Sequence, residues 1–376
     1  MKYTFSFLIF IFCACEGKKQ QATQSQQDSI ANKPKKEIAW AILPFTKVDS
    51  VNPILLANKN TSFFCPISKK KVFWEANDVY NPSTIVRNGK VYMIYRAEDT
   101  VKVVNGTSRL GLAESEDGIH FKRLLEPIFY PDNDEMKKYE WQGGCEDPRV
   151  VEDSTGTYFM TYTAYDGKIA RLCVASSKDL KKWAKHGLAF KNPKNIDMWS
   201  KSGAIVCQLS PEGKMIATKI NGKYVMYWGE NGFFATSEDL INWEFLADEK
   251  GEAKSVLPKR EGQNFFDNSL VEPGPPALLT EKGILLFYNG ASKDVVNQWG
   301  VSNYSGGQAL FDKNDPAKLI DRLDIPFISP EKDYELIGLV NKVTFVEGLV
   351  YYKQKWFIYY GTADSRIAVA VSDLKK

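Results

Sequence analysis

From about Ile38 onward the chain is a succession of short apolar or aromatic runs, broken at close intervals by Gly, Asn and Asp. No long stretch keeps the 3.6-residue rhythm of a helix, so the pattern predicts an all-β chain. One segment recurs. Gly89-Lys90-Val91-Tyr92-Met93-Ile94-Tyr95-Arg96 is echoed by Gly156-Thr157-Tyr158-Phe159-Met160-Thr161-Tyr162-Thr163 and by Gly222-Lys223-Tyr224-Val225-Met226-Tyr227-Trp228. Fainter copies begin at Gly283 and Lys355. Each of the first three copies leads into a second strand-like run and a polar turn, Ser115-Glu116-Asp117, Ser177-Lys178-Asp179 or Ser237-Glu238-Asp239, followed by a large residue: Phe121, Trp183 or Trp243. Five such units, each a small antiparallel sheet, predict a five-bladed β-propeller, with Arg366-Ile367-Ala368-Val369-Ala370 closing the ring against the opening blade. A long β-sandwich or two β domains is the competing arrangement.

Ahead of this region the pattern changes twice. Residues 1–15 read as a lipoprotein-type signal peptide: Lys2 is the positive end, Phe5 to Phe12 is nearly all apolar, and Cys15 follows a small residue. Phe12 stands where such signals usually carry leucine. Residues 16–37, rich in Gln, Lys and Ser, form a polar tether without the means to build a core. Residues 38–376 are then the propeller domain. The expected location is that of an exported bacterial lipoprotein, in the periplasm or cell envelope, touching a membrane only through a lipid on Cys15.

Composition narrows the chemistry. Basic and acidic totals of 49 and 46 leave a net charge of +3, too little to attract nucleic acid. The two histidines, His120 and His186, argue against a histidine metal site or a Ser-His-Asp triad. The six cysteines, at 13, 15, 65, 145, 173 and 207, lack zinc-site spacing, and the strand-like settings of Cys173 and Cys207 point to buried free thiols. Neither a cofactor nor a metal is expected. An aromatic share of 13% suits a cleft that stacks on ring-shaped ligands such as carbohydrate. Any catalysis must rest on carboxylates.

In a propeller, the turns after the five echoed strands converge on one end of the axis. Those turns carry Arg96-Ala97-Glu98-Asp99, Ala164-Tyr165-Asp166, Gly229-Glu230-Asn231, Asn289-Gly290-Ala291-Ser292 and Thr362-Ala363-Asp364-Ser365-Arg366. Glu146-Asp147-Pro148-Arg149 adds two adjacent acids and a base before a strand-like run. Glu230 and Glu272 interrupt small or apolar surroundings, where an acid is costly to bury.

From Trp74 to Lys375 the chain resembles glycoside hydrolase family 130, five-bladed propellers acting on β-mannosides. The resemblance rests on Asn81-Pro82-Ser83, Tyr95-Arg96-Ala97, Glu146-Asp147-Pro148-Arg149, Tyr162-Thr163-Ala164-Tyr165, Ala175-Ser176-Ser177-Lys178-Asp179-Leu180, Lys201-Ser202-Gly203-Ala204, Gly274-Pro275-Pro276 and Tyr360-Gly361-Thr362-Ala363-Asp364. It implies that Asp147 is the general acid and that Asn81, Arg96, Lys201 and Asp364 hold the mannose being cleaved. Arg149, which would oppose protonation of Asp147 by pairing with it, is expected to contact Glu146, substrate or backbone. The family contains phosphorylases and hydrolases. The phosphorylases carry a histidine shortly after the third echoed strand, where this chain has Trp228-Gly229-Glu230. Anionic Glu230 and Glu272 would repel phosphate and suit a water-activating base, as in the family's β-1,2-mannosidases. The expectation is an inverting hydrolase of mannose-containing oligosaccharides, with Asp147 protonated near neutral pH and Glu230 and Glu272 sharing the base. A phosphorylase and a non-catalytic glycan-binding propeller are the alternatives.

Overall fold

The computed structural model describes residues 38–100, 106–262, 265–292 and 303–374. The predicted signal peptide, the tether, Cys13 and Cys15 lie outside the described residues. Over the unit Trp40–Lys376 the fold is nearly all-β, with helices of a single turn at Lys137–Glu140 and Asp333–Leu336.

Apart from the two-stranded pair Phe63–Cys65 and Lys70–Val72, the described strands fall into five antiparallel groups, and each echoed segment is the second long strand of its group. The first group is Asp78–Arg87, Lys90–Glu98, Ser108–Ser115 and Lys122–Arg123. The second is Gly144–Glu152, Tyr158–Tyr165, Ala170–Ser177 and Ala184–Leu188. The third is built on Ala204–Leu209, Lys223–Trp228, Phe233–Ser237 and Trp243–Phe245. In the fourth the leading strand is split into Leu270–Pro273 and Ala277–Thr280, followed by Gly283–Ala291, Tyr304–Phe311 and Leu319–Arg322. The fifth is Thr344–Tyr352, Lys355–Thr362 and Arg366–Ser372.

The outer partner of Arg366–Ser372 differs from the sequence expectation. It is Thr46–Lys47, a two-residue strand upstream of every echo, and not a strand of the opening group. Neighbouring groups are stitched by short parallel pairings, Ser108 to Gly144, Ile216 to Glu152, and Val206–Gln208 to Ala277–Leu279. Side chains add to this: Ser83 Oγ accepts from Val150 N at 2.9 Å, and Thr161 Oγ1 donates to Gly203 O at 2.7 Å.

The three polar turns have one construction, which explains their spacing. Ser115, Ser177 and Ser237 each accept backbone N–H bonds from two and three residues on, while Asp117, Asp179 and Asp239 do the same for the next pair. These are side-chain mimics of a backbone turn. Trp183 and Trp243 then close over the turn, each donating Nε1 to a leucine carbonyl at 3.1 Å. Cys65, Cys145, Cys173 and Cys207 are buried free thiols, as their apolar settings imply.

Candidate active site

The leading strands lose register at the positions where polar side chains turn inward. In Asp78–Arg87 the pairing shifts between Tyr80 and Pro82, and in Gly144–Glu152 between Glu146 and Arg149. Pro82 and Pro148 have no N–H to give the ladder, so Asn81 and Asp147 leave it with φ of 47° and 48°. Ser202 has φ 59° just ahead of Ala204–Leu209, and Asp364 has φ 49° in the hairpin after Lys355–Thr362. In Thr344–Tyr352 the shift falls between Val346 and Gly348, which places Glu347 on the bulge. The fourth group breaks its leading strand after Pro273, where Gly274 passes so close that an added Cβ would lie 2.7 Å from Val346 O.

These residues meet around a cavity of about 540 Å³ whose wall includes Asn81, Arg96, Asp147, Lys201, Glu272 and Asp364. Six of the eight residues singled out from sequence are therefore brought together. A larger groove, about 800 Å³, runs between Ala189 and Ala247, but its charged residues are solvated lysines and turn acids, so the chemistry concentrates in the smaller one.

One side of the cavity is organised by Arg96, whose guanidinium lies over the Tyr80 ring at 4.7 Å. Its Nη1 donates to Asp147 Oδ1 at 3.1 Å, its Nη2 to Glu98 Oε1 and Glu146 Oε1 at 2.8 Å each, and its Nε to Ser108 Oγ at 3.0 Å. Asn81 Nδ2 adds a bond to Asp147 Oδ1 at 2.7 Å. A second part of the wall is organised by Lys201, whose Nζ stands 3.2 Å from Glu230 Oε1 and 3.4 Å from Glu272 Oε1. Ser202 Oγ donates to the same Glu272 oxygen. Glu230 reaches Lys201 from the turn after Lys223–Trp228, a third exposed, and does not itself line the cavity.

Two expectations change. The sequence reading expects Asp147 to be protonated near neutral pH; burial pushes its carboxyl up, but Arg96, Lys201 and Asn81 outweigh burial and draw it below the usual carboxylate range. The acids that do rise are its neighbours. Burial lifts Glu146 against the pull of Arg96, and lifts Asp364 to about 7. Arg149, offered as a substrate contact, is 1% exposed and does not line the cavity. Its donors go to backbone carbonyls, Nε to Gly274 at 2.7 Å, Nη2 to Pro273 at 2.9 Å and Nη1 to Asp147 at 3.1 Å. It thereby ties the bulge bearing Asp147 to the break beside Glu272.

Sequence reasoning passed over Glu98, Glu146 and Tyr304 as site residues, and the apolar lip of Leu339, Val340 and Val343. Glu98 and Glu146 stood inside quoted motifs and were findable; the lip follows no repeat. Glu347, fully buried, lies 3.6 Å from Arg149 Nη2, and burial pushes its carboxyl well above the ordinary range. The Asp248 to Phe266 insertion, a candidate for setting pocket depth, contributes none of the described lining residues.

Residues 52–376 match a family model described as β-1,4-mannooligosaccharide phosphorylase. The chain belongs to glycoside hydrolase family 130. A 1,2-β-oligomannan phosphorylase from Thermoanaerobacter sp. (strain X514) is 32% identical over 80% of this chain and 92% of its own length. A β-1,2-mannobiose phosphorylase from the same organism is 30% identical, over 84% and 96%. Among solved structures, a glycosyl hydrolase from Bacteroides ovatus superposes with a TM-score of 0.86 at 45% identity, covering 92% of this chain and 97% of its own. Another, with the same TM-score and identity over 92% and 96%, is described by the statement that the GH130 family of mannoside phosphorylases contains glycoside hydrolases that target β-1,2 mannosidic linkages in Candida mannan.

Proposed function

We propose that this protein is an inverting glycoside hydrolase that releases mannose from β-mannosides, with β-1,2-linked manno-oligosaccharides as substrates, and that its five sheets are the blades of a propeller. Similarity to β-1,2-mannoside phosphorylases and to a structure associated with β-1,2-mannoside hydrolysis supports the substrate class. The observation that carries the choice of water over phosphate is the Lys201 side of the cavity. A single ammonium is met there by two carboxylates, so the cation best placed to hold an anion is already neutralised. A phosphate dianion brought to it would face Glu230 and Glu272 at short range, a repulsion of several kcal/mol at intermediate dielectric, on the order of 4 for each unit pair near 4 Å.

In this reading Asp147 hands a proton to the leaving oxygen, and Glu272, with Glu230 beside it, takes one from the attacking water. Burial raises Glu272 above the ordinary glutamate range despite Lys201 and Ser202, which makes it a stronger base than a solvated glutamate. Asn81, Arg96, Lys201 and Asp364 orient the sugar, and Arg149 acts from behind by fixing both bulges. The N-terminal pattern supports an exported lipoprotein tethered through Cys15 in the cell envelope; incorporation of labelled fatty acid that is lost in Cys15→Ala tests that part.

The test of the reaction is product analysis on linked mannobioses with and without phosphate. Free mannose at a rate indifferent to phosphate is expected. Mannose 1-phosphate formed only with phosphate would make the protein a phosphorylase like its curated relatives, and sugar binding without turnover would make it a glycan-binding propeller.

A further inference from the structure

On the Arg96 side one serine proton faces two carboxyl oxygens, so one of the two contacts lacks a full hydrogen bond unless an acid there keeps a proton. Ser108 Oγ lies 3.2 Å from Glu98 Oε1 and 3.3 Å from Glu146 Oε1, while accepting from Arg96 Nε at 3.0 Å. A serine hydroxyl has one proton and two lone pairs, so it donates to one of these carboxyls only. The other contact is attractive if that carboxyl donates to the remaining lone pair. Glu98 Oε1 already accepts two other donors, Tyr80 Oη at 2.5 Å and Arg96 Nη2 at 2.8 Å, whereas Glu146 Oε1 accepts one other, Arg96 Nη2 at 2.8 Å. Asp147 Oδ1 meets only the donors Asn81 Nδ2 and Arg96 Nη1. That leaves Glu146. Charge counting agrees, since one guanidinium serves three carboxyl groups here and Lys201 is committed to two others.

We propose that Glu146 holds, in the resting enzyme, the proton that is finally delivered to the leaving oxygen, with Asp147 as the group that hands it over. The inference deepens the acid half of the proposed reaction and is independent of which nucleophile attacks. When substrate enters, the Glu146 O–H bond breaks and its proton passes through a sugar hydroxyl or a solvent molecule to Asp147. From there it goes to the glycosidic oxygen as the bond to the anomeric carbon breaks. The attacking water forms the new carbon–oxygen bond and leaves its proton on Glu272 or Glu230; exchange with solvent then returns a proton to Glu146, and the cycle balances.

The groups facing Glu146 are Tyr80 from the leading strand of the first group, Arg96 and Glu98 from its second, Ser108 from its third, its neighbour Asp147, Lys201 and Asp364. Burial together with Asp147 and Glu98 favours the protonated form, and Arg96 and Lys201 oppose it, with the balance upward.

The experiment compares Glu146→Gln and Glu98→Gln with wild type across pH, on a manno-oligosaccharide and on 2,4-dinitrophenyl β-mannoside, whose leaving group needs no proton. Glu146→Gln is expected to lose about tenfold or more in kcat on the oligosaccharide with little change in KM, and far less on the aryl mannoside. Glu98→Gln removes a negative neighbour that favours the Glu146 proton, so its alkaline limb moves to lower pH. Equal losses on both substrates, wild-type kcat in Glu146→Gln, or an unmoved limb in Glu98→Gln overturns the proposal. Assaying mannose and mannose 1-phosphate in the same reactions shows separately whether the hydrolytic reading fails, because phosphorolysis also needs a protonated leaving oxygen.

Discussion

The two walls of the cavity are built from similar parts and behave differently. On one, Arg96 gathers Glu98, Glu146 and Asp147; on the other, Lys201 gathers Glu230 and Glu272. The guanidinium presents separate donors in a fixed plane, so its acids receive unequal treatment: Asp147 is bound by donors alone, while Glu98 and Glu146 share a nitrogen and a serine. The ammonium is a point charge that both glutamates approach at similar distance, and among the described residues Glu272 gains a second donor, from Ser202. On the proposed mechanism the Arg96 wall stores and passes a proton and the Lys201 wall accepts one.

Breaking either wall should have unequal consequences. Asp147→Asn removes the proton carrier while keeping the bond from Asn81 within reach, and should lower kcat on oligosaccharides by about three orders of magnitude, read from initial rates of mannose release. Glu272→Gln should cost about a hundredfold and Glu230→Gln less, because Glu272 is buried and lines the cavity whereas Glu230 is a third exposed; a larger loss in Glu230→Gln would reverse their roles.

A subtler test uses Asp364, whose carboxyl is raised to about 7 by burial, against an ordinary value of 3.8. The folded state keeps a proton that the unfolded chain releases. Ionising the group therefore costs stability as pH rises from about 4 towards 7, and the penalty levels off above that. Thermal melts should show wild type losing ground to Asp364→Asn across that window; parallel curves would place the proton elsewhere. The smallest effect belongs far from the site. Asp239→Ala removes the acceptor for the Ile241 and Asn242 N–H groups and should lower stability by about 1 kcal/mol with kcat unchanged.

Much of this was legible in the chain because repetition exposes it. Echoed strands, each opening on a turn and ending in polar residues, located five antiparallel strand groups, and the serine-aspartate turns recur with one bonding scheme. The cavity's main residues were reachable through the motifs that resemble the family, and the structure shows two of these motifs, Asn81-Pro82 and Asp147-Pro148, to be bulges. Electrostatic state was not legible. Whether Asp147 or Glu146 keeps the proton depends on which oxygen Arg96 and Ser108 reach, and sequence order says nothing about that. Which of Glu146, substrate or backbone Arg149 meets was not legible for a related reason: beside Asp147 in the chain, it extends across to the fourth group and donates to backbone carbonyls there. The strand at Thr46–Lys47 has too few residues to show any period.

The central claim is that water, not phosphate, attacks the anomeric carbon, and proton NMR of the sugar released from β-1,2-mannobiose tests it most directly. If water attacks, α-mannose appears first and mutarotates, at the same rate whether phosphate is present or absent. Accumulation of α-mannose 1-phosphate with a rate that rises with phosphate would contradict it.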